Sequence, residues 1–189
     1  MLCPSCNREN PSDHAFCPAC GTKLVAATQL GGVAERRHLT VMFVDLVGST
    51  ALSGQLDPED MRGVITSYQN TVAGIVTRFE GHVAKYMGDG VLCYFGWPHA
   101  HEDDAKRSIM TGLGIVERIE ELNKTLLIEH NVELGIRIGI HTGLVVIGQM
   151  GSGNTREENA IVGETPNIAA RIESIAKPNT VVISEDTNE

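Results

Sequence analysis

The chain has no apolar run approaching the ~18–20 consecutive residues needed to cross a bilayer. It has no basic-then-apolar leader either, opening instead with Met-Leu-Cys-Pro-Ser-Cys. A membrane role is therefore not expected, and the cytoplasm is the expected compartment. A basic excess is also missing: Lys and Arg number 15 against 24 Asp and Glu, for a formal net charge of −9. That excludes broad binding of nucleic-acid polymers, which needs clustered cations to displace counterions from phosphates. Any phosphorylated small ligand would have to bring metal cations to offset the repulsion. The composition is not that of a disordered chain, with 42% apolar and 21% charged residues. The 189 residues leave room for one core of ~100–150 residues and a small satellite.

Cysteine is scarce beyond residue 20, where only Cys93 remains, and is concentrated before it. Cys3/Cys6 and Cys17/Cys20 form two Cys-x-x-Cys pairs separated by Asn7 to Phe16. In a reducing compartment such pairs are metal ligands before they are disulfides. Four thiolates on two tight turns, helped by Pro4 and Pro18, satisfy one tetrahedral structural Zn²⁺ and leave no open position for hydrolytic chemistry. The alternative of two redox dithiols is weaker, because neither pair opens a long amphipathic helix. His14 is surplus to the ligand set. So short a segment has almost no apolar core, so the metal would supply most of its folding free energy. Its charges cancel, which favours a regulatory protein contact. We therefore expect a zinc ribbon over 1–24 and, where Ala, Thr, Gln and Gly dominate, a flexible linker over 25–37.

From residue 38 onward the pattern is that of alternating strands and helices. His38 to Leu46 (HLTVMFVDL) is suited to a buried strand. Asp57-Pro58-Glu59 starts a helix whose apolar positions from Met61 to Phe79 recur every three or four residues, and Gly81 closes it. His82 to Tyr86 and Val91 to Phe95 read as a hairpin through Met87-Gly88-Asp89-Gly90. A second helix starts near His101, with Glu102-Asp103-Asp104 complementing its N-terminal dipole. Leu134 to Ile140 and Leu144 to Gln149 read as strands around a turn at His141-Thr142-Gly143, followed by a polar loop from Gly151 to Glu158. A short strand at Ala160 to Val162, a helix at Pro166 to Ile175 and a strand at Thr180 to Ser184 complete the set. This order predicts an α+β fold: a ferredoxin-like antiparallel sheet with helices packed on one face.

The chemistry-bearing residues lie at the edges of these elements. Asp45 ends an apolar strand and is followed by Leu46-Val47-Gly48-Ser49-Thr50, a turn whose small residues let backbone amides approach an anion. Asp89, at the hairpin tip, is a second carboxylate that the strand order could bring beside the first, so that the two share two cations. Lys85 lies four residues before it, on the same strand face as Val83 and Met87 by alternation. Asn167 and Arg171 are spaced i, i+4 at the start of a helix, where an amide and a guanidinium could grip a ribose and a phosphate. Taken singly, each has an ordinary explanation: a strand end, turn chemistry, a snorkelling lysine, a solvated helix face.

Together, FVDLVGST from Phe43, KYMGDG from Lys85 and IVGETPNIAAR from Ile161 resemble, in order and separation, the three signature stretches of the class III adenylate and guanylate cyclase family. With a zinc ribbon in front, the chain is similar to bacterial multidomain members. The resemblance spans 38–189 and implies a class III cyclase fold that makes cyclic AMP and pyrophosphate from ATP. It implies that Asp45 and Asp89, helped by the Leu46 carbonyl, bind two Mg²⁺ or Mn²⁺ ions, and that the backbone from Val47 through Gly48 and Ser49 to Thr50 contacts the triphosphate. It further implies that Asn167 orients the ribose, that Arg171 stabilises charge at the α-phosphate, and that Lys85 reads adenine. Family sites are shared between two catalytic domains, which implies a head-to-tail homodimer. Two departures accompany the match. Ala160 occupies the position where the family places an Asp, Thr or Ser partner for Lys85. The family domain also continues beyond Thr180 to Ser184 with a further hairpin and a phosphate-contacting lysine, so a C-terminally truncated domain of lower activity or stability is expected.

Two readings compete with an adenylate cyclase: a guanylate cyclase of the same mechanism, and a catalytically silent cyclase-like module that regulates by binding. A diguanylate cyclase would carry a Gly-Gly-Asp/Glu-Glu-Phe hairpin, which Met87-Gly88-Asp89-Gly90 does not provide. His99, His101 and His141 lack consistent ligand spacing, and Cys93 reads as a buried small hydrophobe.

Overall fold

The computed structural model describes residues 3, 6, 8–10, 17–22, 35–150 and 157–188. Residues 25–34 of the linker expected over 25–37, His14, and residues 151–156 of the polar loop expected from Gly151 to Glu158 lie outside the described residues; residues 35–37 and 157–158 of those two segments belong instead to strands. Two compact units are present, Met1–Glu35 with Gly148–Ala160, and Arg36–Ile147 with Ile161–Glu189. No helix among the described residues is long and apolar enough to cross a membrane.

Among the described residues, six strands and five helices follow one another: β1 (Glu35–Val47), α1 (Ser49–Leu52), α2 (Pro58–Arg78), β2 (His82–Met87), β3 (Gly90–Phe95), α3 (Asp104–Glu129), β4 (Gly135–Met150), β5 (Glu157–Val162), α4 (Thr165–Ile175), β6 (Thr180–Ile183) and α5 (Glu185–Asn188). The sheet order is β2-β3-β1-β4-β5, with β6 added to β4. β1 is therefore central, which explains its continuous burial from Leu39 to Met42. Its two faces feed two cores. Met42, Val44 and Leu46 pack with Val64, Tyr68, Val72 and Val76 of α2, and with Ile115 and Ile119 of α3. Leu39 and Val41 face the other way, with Leu92, Tyr94, Val145, Ile147 and Ala169 of α4. Each fully buried side chain of this size contributes roughly 1.5–3 kcal/mol.

α2 starts as the sequence predicts. Asp57 Oδ1 accepts from the amides of Glu59 and Asp60, both at 2.9 Å, and Pro58 needs no acceptor at the first helical position. Its end differs in one detail. The left-handed residue is Glu80 (φ 59°) rather than Gly81. Gly81 is needed for space: a Cβ there would meet the Phe95 ring at 2.6 Å and Val76 at 2.9 Å.

The expected turn at His141-Thr142-Gly143 is absent, and β4 runs through it as one strand of 16 residues. The polar residues that signal a turn are satisfied within the fold. Thr142 Oγ1 lies 2.9 Å from Thr40 Oγ1 of β1, and His141 Nδ1 lies 2.7 Å from Ser184 Oγ. Gly143 leaves room for Thr165, whose hydroxyl donates to the Leu144 carbonyl at 3.0 Å. The sheet also departs from an antiparallel arrangement at one place, since β6 runs parallel to β4 with Arg137 beside Thr180 and Ile140 beside Ile183. α4 lies on the face of the sheet opposite α2 and α3, so the helices do not share one face as the element order predicts.

Gly139 sets the position of α4. A Cβ there would collide with the backbone of Ala169 and Glu173, so helix and strand touch backbone to backbone. Gly139→Ala should cost about 1–3 kcal/mol through overpacking, read as a lower midpoint in urea denaturation. An unchanged midpoint would show that α4 is not held by this contact.

Candidate active site

Strand pairing brings the two acids together. β1 pairs antiparallel with β3, Val44 opposite Val91 and Phe43 opposite Leu92, which continues to Asp45 opposite Gly90. The Asp45 carboxylate lies over that glycine, where a Cβ would stand 3.4 Å from Oδ1. The hairpin turns through Gly88, whose φ of 71° suits the first central position of a two-residue loop, and Gln69 of α2 donates to the Gly88 carbonyl at 2.9 Å. Asp89 follows directly. Asp45 is half-buried, and desolvation, followed by repulsion from Asp89, holds its carboxyl above the usual range; the Leu46 amide and Arg137 pull the other way. A pair of mutually repelling carboxylates of this kind fits hard divalent cations, which take oxygen ligands and cancel the repulsion.

The turn after β1 adjoins the same place. Leu46 is buried in the helix-side core and Val47 ends β1. Gly48 then adopts φ 73° and Ser49 opens α1. The amides of Ser49 and Thr50, at the start of α1, have no intrahelical acceptor. Ser49, Thr50, Met61, Arg62, Gly88 and Asp89 line a cleft of about 860 Å³, within the range of a nucleotide-sized ligand.

Lys85 is exposed on β2. The register shifts between Val83 and Lys85, so Lys85 pairs with Leu92 while Val83 pairs with Cys93. The strand alternation that would group Lys85 with Val83 is thus broken by an irregularity in the strand. Val83 packs toward the helix-side core, whereas Leu92 belongs to the other cluster. Ala160 is half-buried in β5. Asn167 and Arg171 are both exposed on α4. Ala169 and Glu173 press that helix onto Gly139, and residues two positions apart point about 200° from each other. Asn167 and Arg171 therefore face away from the sheet that carries Asp45.

Two residues that the sequence reading passed over join the acid pair. Arg137, on the Gly139 face of β4, draws the Asp45 carboxyl downward. Glu173 is itself pushed up by desolvation and by Asp45, against the pull of Arg137. Arg137 Nε and Glu173 Oε1 are buried without a hydrogen-bond partner. The available signal was an arginine inside the apolar run LGIRIGI.

The four cysteines form the second site. Their Sγ atoms lie within 4.8 Å of one another, with Cys3 to Cys20 at 3.5 Å and Cys6 to Cys17 at 3.6 Å. A tetrahedral Zn²⁺ with ~2.3 Å Zn–S bonds separates its sulfurs by ~3.8 Å, so the set fits. The Cys3 amide donates to Arg8 O at 2.9 Å and the Cys17 amide to Thr22 O at 2.8 Å, closing one turn around each pair. The Thr22 hydroxyl and amide hold Cys20 down to about 6. Although the Arg8 backbone favours its thiolate, Cys6 is pushed up to about 12 by Cys20 and Cys3. A cation would relieve that opposition.

Residues 33–189 match the adenylate and guanylate cyclase catalytic domain, and residues 2–24 match a zinc-ribbon domain. The chain belongs to the class III cyclase family and carries an N-terminal zinc ribbon. Adenylate cyclase 1 of Rhizobium meliloti (strain 1021) is 29% identical over 147 residues, 78% of this chain and 22% of that protein. Receptor-type guanylate cyclase gcy-28 of Caenorhabditis elegans is 29% identical over 169 residues, 86% of this chain and 13% of that protein. The chain thus spans a small part of the length of these relatives. The guanylyl cyclase Cya2 superposes with a TM-score of 0.78 at 34% identity, covering 82% of this chain and 78% of its own. The adenylyl cyclase CyaB from P. aeruginosa gives 0.78 at 29%, covering 82% and 80%. Both nucleotide specificities occur among these relatives.

The raised Asp45 has a thermodynamic consequence. A carboxyl whose folded pKa exceeds its unfolded value makes the fold lose stability as pH rises through the carboxylate range. Asp45→Asn should therefore raise the melting temperature of the metal-free protein at pH 7 and abolish further stabilisation by Mn²⁺. A thermal shift series with and without Mn²⁺ checks both, and a variant still stabilised by Mn²⁺ like the wild type would remove Asp45 from the metal site.

Proposed function

We propose that the chain is an adenylate cyclase, converting ATP to 3′,5′-cyclic AMP and pyrophosphate at a site shared by two copies arranged head to tail. The observation that carries this reading is the convergence of Asp45 and Asp89 beside the Val47–Thr50 turn. Asp45 and Asp89, with the Leu46 carbonyl, would hold two Mg²⁺ or Mn²⁺ ions. Such ions supply Lewis acidity to the ribose 3′-hydroxyl and charge neutralisation to the leaving pyrophosphate.

The chain's own groups do the rest. Amides from Val47 to Thr50 donate to the triphosphate oxygens, as free N–H groups at a helix start do. Asn167 and Arg171 face away from the acid pair of their own chain, which supports their serving the partner's site. There Asn167 orients the ribose, and Arg171 meets the charge that develops on the α-phosphate, a contribution of ~3–4 kcal/mol for a preorganised donor. Lys85 reads the adenine ring. We assign the catalytic domain to the chain from β1 onward and the ribbon to 1–24, joined by a linker that ends where β1 begins at Glu35, with the ribbon holding one structural Zn²⁺ and offering a regulatory protein contact. The cytoplasm, where ATP and reduced thiols coexist, is the compartment this reading requires. A guanylate cyclase is the second reading, since Ala160 gives adenine no side-chain hydrogen bond by which it would be preferred over guanine.

Product formation from ATP and GTP, offered side by side with Mn²⁺, decides between the two. Cyclic AMP is expected to dominate; a preference for GTP would move the assignment to the second reading. Asp89→Asn should abolish product, and Arg171→Ala should lower turnover by roughly 100-fold or more. Unchanged product from Asp89→Asn would remove the metal assignment.

Mixing those two inactive variants tests the shared site. Random pairing of equal amounts rebuilds one intact site in each mixed dimer, so activity should return to about a quarter of wild type. No recovery from a mixture shown to exchange subunits would place the whole site in one chain.

A further inference from the structure

We propose that Gln69 is a positioning residue: by holding the Gly88 carbonyl from α2, it sets where Asp89 stands relative to Asp45. The proposal rests on the metal-site reading above and gives a role to a side chain that reading does not use.

The two acids reach the site in different ways. Asp45 is carried by β1, which lies between β3 and β4 in the middle of the sheet. Asp89 is carried by a hairpin tip, where Lys85 to Gly88 are exposed, so packing does little to hold it. A Cβ on Gly88 would have no atom within 4 Å, so the turn stands in open space. Pairing of Met87 with Gly90 closes the hairpin, but the peptide between Gly88 and Asp89 lies in the turn, outside the ladder.

That peptide is gripped from the side. Gln69 Nε2 donates to the Gly88 carbonyl at 2.9 Å. Because a peptide group is planar, fixing the direction of this carbonyl also fixes the nitrogen to which the Asp89 Cα is attached. The preceding residue of α2 does the equivalent for the other acid. Tyr68 Oη donates at 3.3 Å to the Val44 carbonyl, in the peptide that leads into Asp45. Successive helical side chains point about 100° apart, so one turn of α2 reaches both β1 and the hairpin tip. Both peptides that enter an acid are therefore tied to adjacent residues of one helix.

Two simpler roles fit poorly. As a stability contact the bond offers little, because it is solvent-exposed and exchanges against water. As a direct metal ligand Gln69 would have to use its amide oxygen, whereas it is the amide nitrogen that the structure engages. Neutrality also suits the positioning role. An acid at this place would repel the Gly88 carbonyl, and a base would compete with the cation for Asp89. Ligands that share a cation have to be held to within about 0.5 Å, which an exposed tip does not achieve by itself.

The test uses the full chain and Mn²⁺ alone, with binding read by titration calorimetry and the tip read by nitrogen-15 relaxation in the metal-free state. Gln69→Met removes the donor at similar size, and Gln69→Asn keeps an amide that is too short to reach. Both should bind Mn²⁺ about tenfold more weakly, the usual effect of losing a group that orients a ligand, at an unchanged melting temperature. Both should also lower the order parameters of the Asp89 and Gly90 amides and leave those of Val44 to Leu46 as they are. Wild-type affinity in either variant would overturn the proposal. So would a lowered melting temperature, which would make the bond a plain stability contact. Weaker binding with an unchanged tip would make Gln69 a ligand itself and overturn it too. Asp89→Asn separates this proposal from the reading beneath it. If that variant retains Mn²⁺ binding, the metal site is misplaced; if it loses binding while both Gln69 variants keep it, only the positioning role fails.

Discussion

The antiparallel pairing of β1 with β3 fixes where charge accumulates in this protein. It sets Asp45 opposite Gly90, so the hairpin tip delivers Asp89 to the same place. The chain then has to accommodate two carboxylates that repel one another at the edge of an apolar sheet, and desolvation adds to that penalty at Asp45. A fold optimised for stability alone would place apolar or oppositely charged side chains there. The arrangement is stable enough because β1 is central, with cores on both faces that offset a local cost of this kind.

The cores achieve this through close fits rather than through area alone. Tyr68 is fully buried, and its hydroxyl donates to the Val44 carbonyl at 3.3 Å, one residue before Asp45. Burial, followed by the charge of Asp45, pushes its phenol well above the usual range, so it stays neutral and keeps donating. Gly81, Gly139 and Gly143 each admit a neighbouring ring, helix or hydroxyl that a methyl group would exclude. The distance between β4 and α4 is set by backbone contact at Gly139, whereas Gly81 and Gly143 are filled by side chains.

What could be read from the sequence was what depends on neighbours along the chain. The Asp57 cap, the Gly88-Asp89 turn and the paired cysteines are local signals, and each appears where its spacing predicts. The signals that misled were also local. His141-Thr142-Gly143 has turn composition, yet Thr40, Ser184 and Thr165, all distant in sequence, satisfy or fill its positions within a continuous strand. The alternation around Lys85 fails because an irregularity in pairing with β3 leaves no trace in residue types. Arg137 and Glu173 escaped for the same reason. An arginine in an apolar strand and a glutamate late in a helix look unremarkable until Gly139 brings their elements into contact.

The orientation of α4 bears on how many chains make a working site. Turning Asn167 and Arg171 toward the acid pair of their own chain would require rotating the helix by about 200°. That rotation would drive larger side chains into the space that Gly139 leaves for the helix backbone, and would lift Glu173 away from Arg137. It would also expose Ala169, which is fully buried in the second core. A smaller adjustment does not suffice, because the outward residues lie on the opposite side of the helix. The same packing that turns Glu173 toward the face carrying Asp45 thus commits Asn167 and Arg171 to whatever lies beyond the subunit surface, in keeping with the proposed site completed by a second chain.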